Sequence, residues 1–438
     1  MTKQETLEIV GETPAPHTTP GASLRTGSGD PSPKIIRAVP KTGTVPDFVV
    51  SARSAAFRKQ YFPGMPDTLW NDWHWQVRSG IRNYDELSRI LLLSDDEKNA
   101  LAPAKKRLPL LITPYYASLM DPDDSLQPIR KTMVPVTAEL SRSPGEQDDP
   151  LSEEPYTPVP GLVHRYPDRV LFLVSDICAG YCRYCTRSRL VGRRPDGAGR
   201  IMDRWNAGIK YIASNPRIRD ILISGGDPLM LSDERLEWLL QRLSAIPHVE
   251  ILRIGTKIPA TLPQRITFQL VRMLKRYPPL WMNIHCTHPD ELTEEMREAC
   301  RRLADAGIPL QSQTVLLAGV NDRTATLMDL FHGLLRMRVR PYYLLQCDPV
   351  SGSEHFRTPL AAGLSIMQEL RGYTTGFAVP LYVIDTPGGG GKIPVMPECV
   401  MGQEGDTVVL KNFEGKLYRY RDNAALSHAL LDRQDNES

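Results

Sequence analysis

Asp176 to Leu190 reads DICAGYCRYCTRSRL and sets Cys178, Cys182 and Cys185 in a CxxxCxxC spacing. An apolar run, Val170 to Val174, stands just before it and reads as a buried strand. A loop leaving such a strand can fold three thiolates onto one iron-sulfur cube. Three protein ligands on a four-iron cluster leave one iron open to a small molecule. A zinc site built from one segment would want a fourth Cys or His close by, and none follows in this loop. A zinc knuckle, or a chance spacing, is the competing reading that the rest of the chain has to decide.

Outward from this loop the chain alternates β-rich runs with amphipathic stretches. The strand expectations are 170–175, 220–224, 250–254, 280–285, 309–316, 340–346 and 380–385. Between them 233–245, 264–277, 293–306 and 325–337 carry apolar residues at the i, i+3, i+4 spacing of helices that cover a sheet. Strand-helix alternation implies a parallel sheet, and six or seven units imply an α/β fold of closed or partial (β/α) barrel type. The unusual residues fall just past the strand ends, where such a barrel places its site.

The flanks read differently. Residues 1–45 are rich in Pro, Gly, Ser and Thr and predict a disordered tail. Residues 46–150 predict a helical cap, with Trp70, Trp73 and Trp75 in its core, followed by a proline-broken wrapping connector over 112–142. The barrel is expected over 151–400, and a C-terminal hairpin and tail over 401–438, with Thr407 to Tyr420 alternating around Glu414-Gly415.

Composition bounds the function. Fifty-three basic against 51 acidic residues give a net charge of +2, no field for nucleic acid, and no partner of that kind is expected. The locally basic stretch Arg183 to Arg194 is assigned to anionic ligands instead. No apolar run reaches the roughly 18 residues of a membrane span, so no membrane partner is expected. Seven cysteines without a regular framework argue for a reducing, cytoplasmic setting.

A second motif follows the last expected barrel strand: Pro387-Gly388-Gly389-Gly390-Gly391-Lys392. Four glycines let backbone approach a ligand closely and end on a lysine. The P-loop spacing is absent because Ile393 comes next. A lysine presented this way can form a Schiff base with pyridoxal phosphate (PLP).

The cysteine loop is the signature of radical S-adenosylmethionine (radical SAM) enzymes. With the lysine loop, it closely resembles the lysine 2,3-aminomutase family of radical SAM, PLP-dependent enzymes. The match runs through residues 164–169, 182–187, 224–227, 253–255, 262–267, 319–322, 346–348, 354–359 and the glycine loop, and covers roughly residues 105 to 420. The resemblance implies a radical SAM (β/α) partial barrel with an N-terminal helical extension. It also implies a 4Fe-4S cluster on Cys178, Cys182 and Cys185, with Lys392 as the PLP lysine. Arg165 and Arg169 match the phosphate-binding arginines and Tyr166 the aromatic beside the PLP ring. Gly225-Gly226-Asp227 resembles the motif that receives the methionyl end of SAM, and His285 and Gln313 match residues of the SAM pocket. Arg187 matches the arginine that grips the substrate α-carboxylate, and Asp348 and Asp385 the two aspartates that receive the distal ammonium of lysine.

Read without the family, these positions have plainer meanings. Arg165 to Arg169 is a Tyr-Pro-Asp turn with solvated arginines, His285 and Gln313 are hydrogen-bonded strand-end residues, and either aspartate caps a turn. The resemblance implies migration of the α-amino group of L-lysine to C3, giving β-lysine, through a 5′-deoxyadenosyl radical and a PLP-bound substrate. Such an isomerase needs a reducing electron donor protein and, as the family does, forms a homo-oligomer. L-Arginine or a protein-bound lysine also presents a cation, so the same shift on either stays open. A metal-stabilised protein without catalysis would leave the lysine loop and the paired aspartates unexplained. Zinc is not expected: Arg323 stands where zinc-bearing relatives have a cysteine, and no cysteine follows Cys399. Cys286, Cys300, Cys347 and Cys399 read as buried thiols, with Cys347 a candidate pocket-lining residue beside Asp348.

Overall fold

The computed structural model describes residues 48–101, 108–192 and 199–422. The tail expected over 1–45 lies outside the described residues, as do Arg193, Arg194 and residues 423–438.

One sheet takes nine strands in chain order: β1 (Leu162–Tyr166), β2 (Arg169–Ser175), β3 (Asp220–Gly225), β4 (Ile251–Thr256), β5 (Leu280–His285), β6 (Leu310–Leu316), β7 (Val339–Gln346), β8 (Leu381–Thr386) and β9 (Gly391–Pro394). The ladders from β2 to β8 are parallel, while β1 and β9 are added antiparallel at the two edges. Helices return the chain between parallel strands, among them Asp233–Ser244, Glu294–Asp305 and Thr324–Arg336. Each lays an apolar stripe on the sheet. In Asp233–Ser244 the stripe is Leu236, Leu239, Leu240 and Leu243, all fully buried against a core that includes Ile221 and Ile223.

This is the expected barrel, left open along one seam, because β1 and β9 share no ladder. A side chain bridges that seam. The Lys392 amide in β9 donates to the Tyr166 hydroxyl of β1 at 2.8 Å. Gly391 is required there. Its φ is 78°, and a Cβ would lie 2.7 Å from Tyr166 Oη.

The N-terminal segment is helical and aromatic as expected, with Trp70 fully buried among Phe57, Phe62 and Trp75. The expected connector over 112–142 is more ordered than its prolines suggest. Pro114 and Pro128 stand in the first turns of short helices, Pro114–Ala117 and Pro128–Met133, and start them where they were expected to break the chain. Buried polar contacts fasten this segment to the barrel: Tyr116 Oη donates to Glu291 at 2.6 Å, and Thr113 Oγ1 to the Thr261 carbonyl at 2.7 Å.

Three other expectations change. The helix expected over 264–277 is shortened to Phe268–Leu274, because Thr267 caps it and Arg265 turns inward to donate to the Leu229 and Leu231 carbonyls. Gly199–Ala213, which the sequence reading left out, is a helix. The C-terminal hairpin exists as β11 (Thr407–Lys411) and β12 (Leu417–Arg421), but β10 (Val400–Glu404) makes it a separate three-stranded sheet. Among the described residues no helix is long and apolar enough to cross a membrane.

Trp205 ties the helix Gly199–Ala213 to the strand that feeds the cysteine loop. It is fully buried, and its indole N–H donates to the Val174 carbonyl at 3.1 Å. Trp205→Ala removes the ring and leaves a cavity beside β2, so the urea midpoint should fall by the equivalent of about 3–5 kcal/mol.

Candidate active site

The parallel strands deliver their C-terminal residues to one cavity of about 460 Å³. Cys178, Cys182 and Cys185 line it. So do Arg165, Tyr166, Arg169, Arg187, Gly225, Gly226, Asp227, His285, Gln313, Asp348, Asp385 and Lys392. The three cysteines and every residue matched to a cofactor or substrate contact therefore face the same space.

The cysteine loop leaves β2 and is held from both sides. Toward the barrel, the amides of Gly226 and Asp227 donate to the carbonyls of Ser175 and Ile177 at 2.5 and 2.8 Å. A Cβ on Gly226 would lie 2.5 Å from the Ile177 carbonyl oxygen. Toward the N-terminal segment, the Tyr181 and Arg183 amides donate to the carbonyls of Leu111 and Thr132. All seven cysteines are free thiols. Burial raises the pKa of each of the three loop thiols. Among the described residues no three His, Cys, Asp or Glu side chains form a group for a single ion. In a cube each thiolate is bound to a different iron, so the test that applies to this trio is whether all three cysteines line one cavity, and they do.

The basic stretch expected to meet anionic ligands is corrected at Arg183 and Arg189. Arg183 is committed to Glu139, Nε to Oε1 at 3.0 Å, and to the Leu108 carbonyl. Arg189 lies 3.0 Å from Asp149. Neither is held for an anionic ligand; both are tied up by carboxylates distant in sequence. Arg187 lines the cavity but is also paired, its Nη2 donating to Glu153 Oε1 at 2.6 Å.

At the β1–β2 corner, Arg169 stacks over the Tyr166 ring at 4.1 Å and Arg165 over Tyr156 at 4.9 Å. Arg165 Nε is buried without a partner among the described residues. An orphaned guanidinium N–H in the wall that carries Lys392 fits a phosphate. Lys392 lies opposite Asp385 in the β8–β9 register, and its ammonium pairs with that carboxylate.

The remaining polar residues divide by environment. Asp227 accepts from Thr256 Oγ1 at 2.8 Å and from the Lys257 and Leu229 amides; burial still lifts its pKa to about 6. Its carboxylate therefore serves the turn. His285 is brought down to about 4 by burial and then by the charges of Lys257, Arg187 and Lys392, so it is neutral at pH 7. Asp348 accepts from Thr186 Oγ1 at 2.7 Å; burial and then Asp385 push it up to about 6.

Four charged residues at this cavity were given no role by the sequence reading: Glu153, Asp220, Arg253 and Lys257. Lys257 pairs at 2.5 Å with Glu291. Burial alone would raise the Glu291 pKa, but Lys257, Tyr116 and Thr287 hold it at about 2. The one signal in the sequence for Lys257 was its place after the strand motif Arg253-Ile254-Gly255. Cys347, a candidate lining residue, does not line the cavity and packs with Leu317, Val320 and Phe356. Cys286 and Cys300 are buried as expected, while Cys399 is half-buried.

A family model described as Lysine-2,3-aminomutase matches residues 367–436, and one described as Radical SAM superfamily matches 172–331. The chain is 50% identical over 363 residues to an L-lysine 2,3-aminomutase of Clostridium subterminale, covering 83% of this chain and 87% of that one. The chain belongs to the lysine 2,3-aminomutase family. An L-lysine 2,3-aminomutase of Bacillus subtilis is 49% identical, covering 81% of this chain and 75% of that one. A glutamate 2,3-aminomutase of Clostridioides difficile is 42% identical, covering 82% and 84%. Membership of the radical SAM superfamily implies a four-iron cluster and SAM, and in this aminomutase the cysteine trio and the Gly225–Asp227 turn line the same cavity.

The raised pKa of Asp348 fixes a sign. A carboxyl that binds its proton more tightly folded than unfolded lends stability that is full below the ordinary value of 3.8 and is lost as pH rises through about 6. Asp348→Asn cannot ionise. Its stability relative to the native chain should therefore improve by about 2 kcal/mol between about pH 4 and pH 7, read from urea midpoints of the cofactor-free protein.

Proposed function

We propose that this enzyme moves the α-amino group of L-lysine to C3, giving β-lysine. The observation that carries the reading is that the cysteine trio, the glycine-loop lysine and two carboxylates line one cavity. In this reading Cys178, Cys182 and Cys185 would hold the cluster, and the Gly225–Asp227 turn with His285 and Gln313 would hold SAM. Arg165, Tyr166, Arg169 and Lys392 would hold PLP. When bound, the cluster and SAM supply one-electron chemistry at an unactivated C–H bond, and PLP supplies a π-system through which nitrogen can cross between neighbouring carbons.

The chain's own part is placement and charge matching. Arg187 receives the α-carboxylate, which sets C2 and C3 at a fixed distance from the cysteine loop two residues away. Asp348 and Asp385 receive the distal ammonium. Two buried carboxylates oppose each other's ionisation, as the raised Asp348 shows, and a cation between them relieves this. The carboxylate side chain of glutamate would add a third negative charge, and the relatives named for lysine are more similar to this chain than the one named for glutamate. His285, neutral at pH 7, can hydrogen-bond to a ligand without adding charge. A reducing electron donor protein and a cytoplasmic setting follow from the need to keep the three thiols reduced and to supply an electron.

Anaerobic reconstitution with iron, sulfide, PLP, SAM and reductant should convert L-lysine to β-lysine and leave L-glutamate untouched. Turnover of L-arginine in place of lysine would reassign the two aspartates. Lys392→Ala should lose the absorbance of bound PLP and keep its iron; Cys182→Ala should do the reverse. Loss of both cofactors in either variant, with circular dichroism unchanged, would sink the idea of two separate anchors.

A further inference from the structure

Leu151 to Tyr156, LSEEPY, runs as a strap between the N-terminal segment and β1, and it touches Arg165 and Arg187. Its Leu151 and Ser152 carbonyls accept from Arg165 Nη2, and its Tyr156 ring lies under the same guanidinium. Ser152 has a φ of 50°, one of two positive values outside glycine among the described residues. Such a conformation is disfavoured for serine. It lets carbonyls face Arg165 while the next side chain, Glu153, faces the cavity.

Glu153 is 5% exposed and grips Arg187 along one edge: Nη2 to Oε1 at 2.6 Å and Nε to Oε2 at 3.3 Å. Arg187 side-chain donors have no other partner among the described residues. A guanidinium held by its Nε edge keeps both Nη1 hydrogens and the outer Nη2 hydrogen in one plane, aimed away from Glu153. That is the geometry of bidentate carboxylate recognition. The flexible stem is also ordered before the ligand arrives, which removes a cost of binding. Arg189, 3.0 Å from Asp149 and 4.0 Å from Glu153, balances the charge on the far side.

We propose that Glu153 is a positioning residue for substrate selection: it aims Arg187 at the α-carboxylate and so makes the enzyme choose amino acids over amines of the same length. This rests on the reading of Arg187 as the carboxylate's partner. The test compares L-lysine with 1,5-diaminopentane, the same chain without its carboxylate, by calorimetric titration of the PLP-loaded enzyme without reductant, and pairs this with KM and kcat for lysine. Glu153→Gln should weaken lysine binding roughly tenfold or more and raise KM alike, with a much smaller change in kcat and no change in diamine affinity. Glu153→Asp should recover part of the loss. Arg187→Ala should weaken lysine at least as much, again sparing the diamine. If Arg187→Ala leaves the lysine-to-diamine ratio unchanged, the carboxylate reading itself fails. If Arg187→Ala lowers the ratio and Glu153→Gln does not, or if Glu153→Gln binds lysine more tightly, Glu153 competes with substrate or merely packs, and the positioning role is overturned.

Discussion

The contact between the Tyr166 hydroxyl and the Lys392 amide is the constraint on which the site depends. The nine-stranded sheet has two antiparallel edges that form no ladder with each other. Arg165 and Tyr166 stand on one edge, Lys392 on the other. Only when the edges meet do these residues form a single wall, and one side-chain hydrogen bond marks where they meet. The glycine loop follows from that contact, because the turn from β8 into β9 must pass close to an aromatic hydroxyl with no room for a side chain at Gly391.

Charge pairing then sets the character of the cavity. Arg187 holds Glu153, Lys392 holds Asp385, and Lys257 holds Glu291. Buried charges need such partners, because an unpaired one carries the full cost of leaving water. Asp348 makes no ion pair among the described residues, only a side-chain hydrogen bond from Thr186, and burial, then the neighbouring Asp385, makes it hold its proton more tightly. A carboxyl in that state gains when a cation arrives beside it. The preference for a substrate with a positive end can therefore be read from the imbalance within the site, apart from any likeness to relatives.

Much of this was legible in the sequence, and the reasons differ by feature. Buried parallel strands are short apolar runs bounded by turn residues, so 280–285 was read to the residue, as Leu280–His285, and others to within one or two. The cysteine spacing and the glycine loop are local, and local motifs survive without coordinates. Long-range pairing does not. Nothing in Leu-Ser-Glu-Glu-Pro says which glutamate turns inward, and the partner of Glu153 lies 34 residues on. The basic run after Cys182 was read as ligand-binding, whereas Arg183 is fastened to Glu139, 44 residues earlier. Prolines in 112–142 were read as interruptions because their role at a helix start depends on the caps before them, Thr113 and Gln127.

The two glycines after β3 touch the cysteine loop main chain to main chain: a Cβ on Gly225 would lie 2.3 Å from the Ser175 carbonyl oxygen, and one on Gly226 2.5 Å from that of Ile177. With no side chain between them to absorb a change, the two segments behave as one moulded part. A shift in either is felt at once by the other. Transplanting one into a foreign barrel without its mate would carry the letters of the motif and lose its shape.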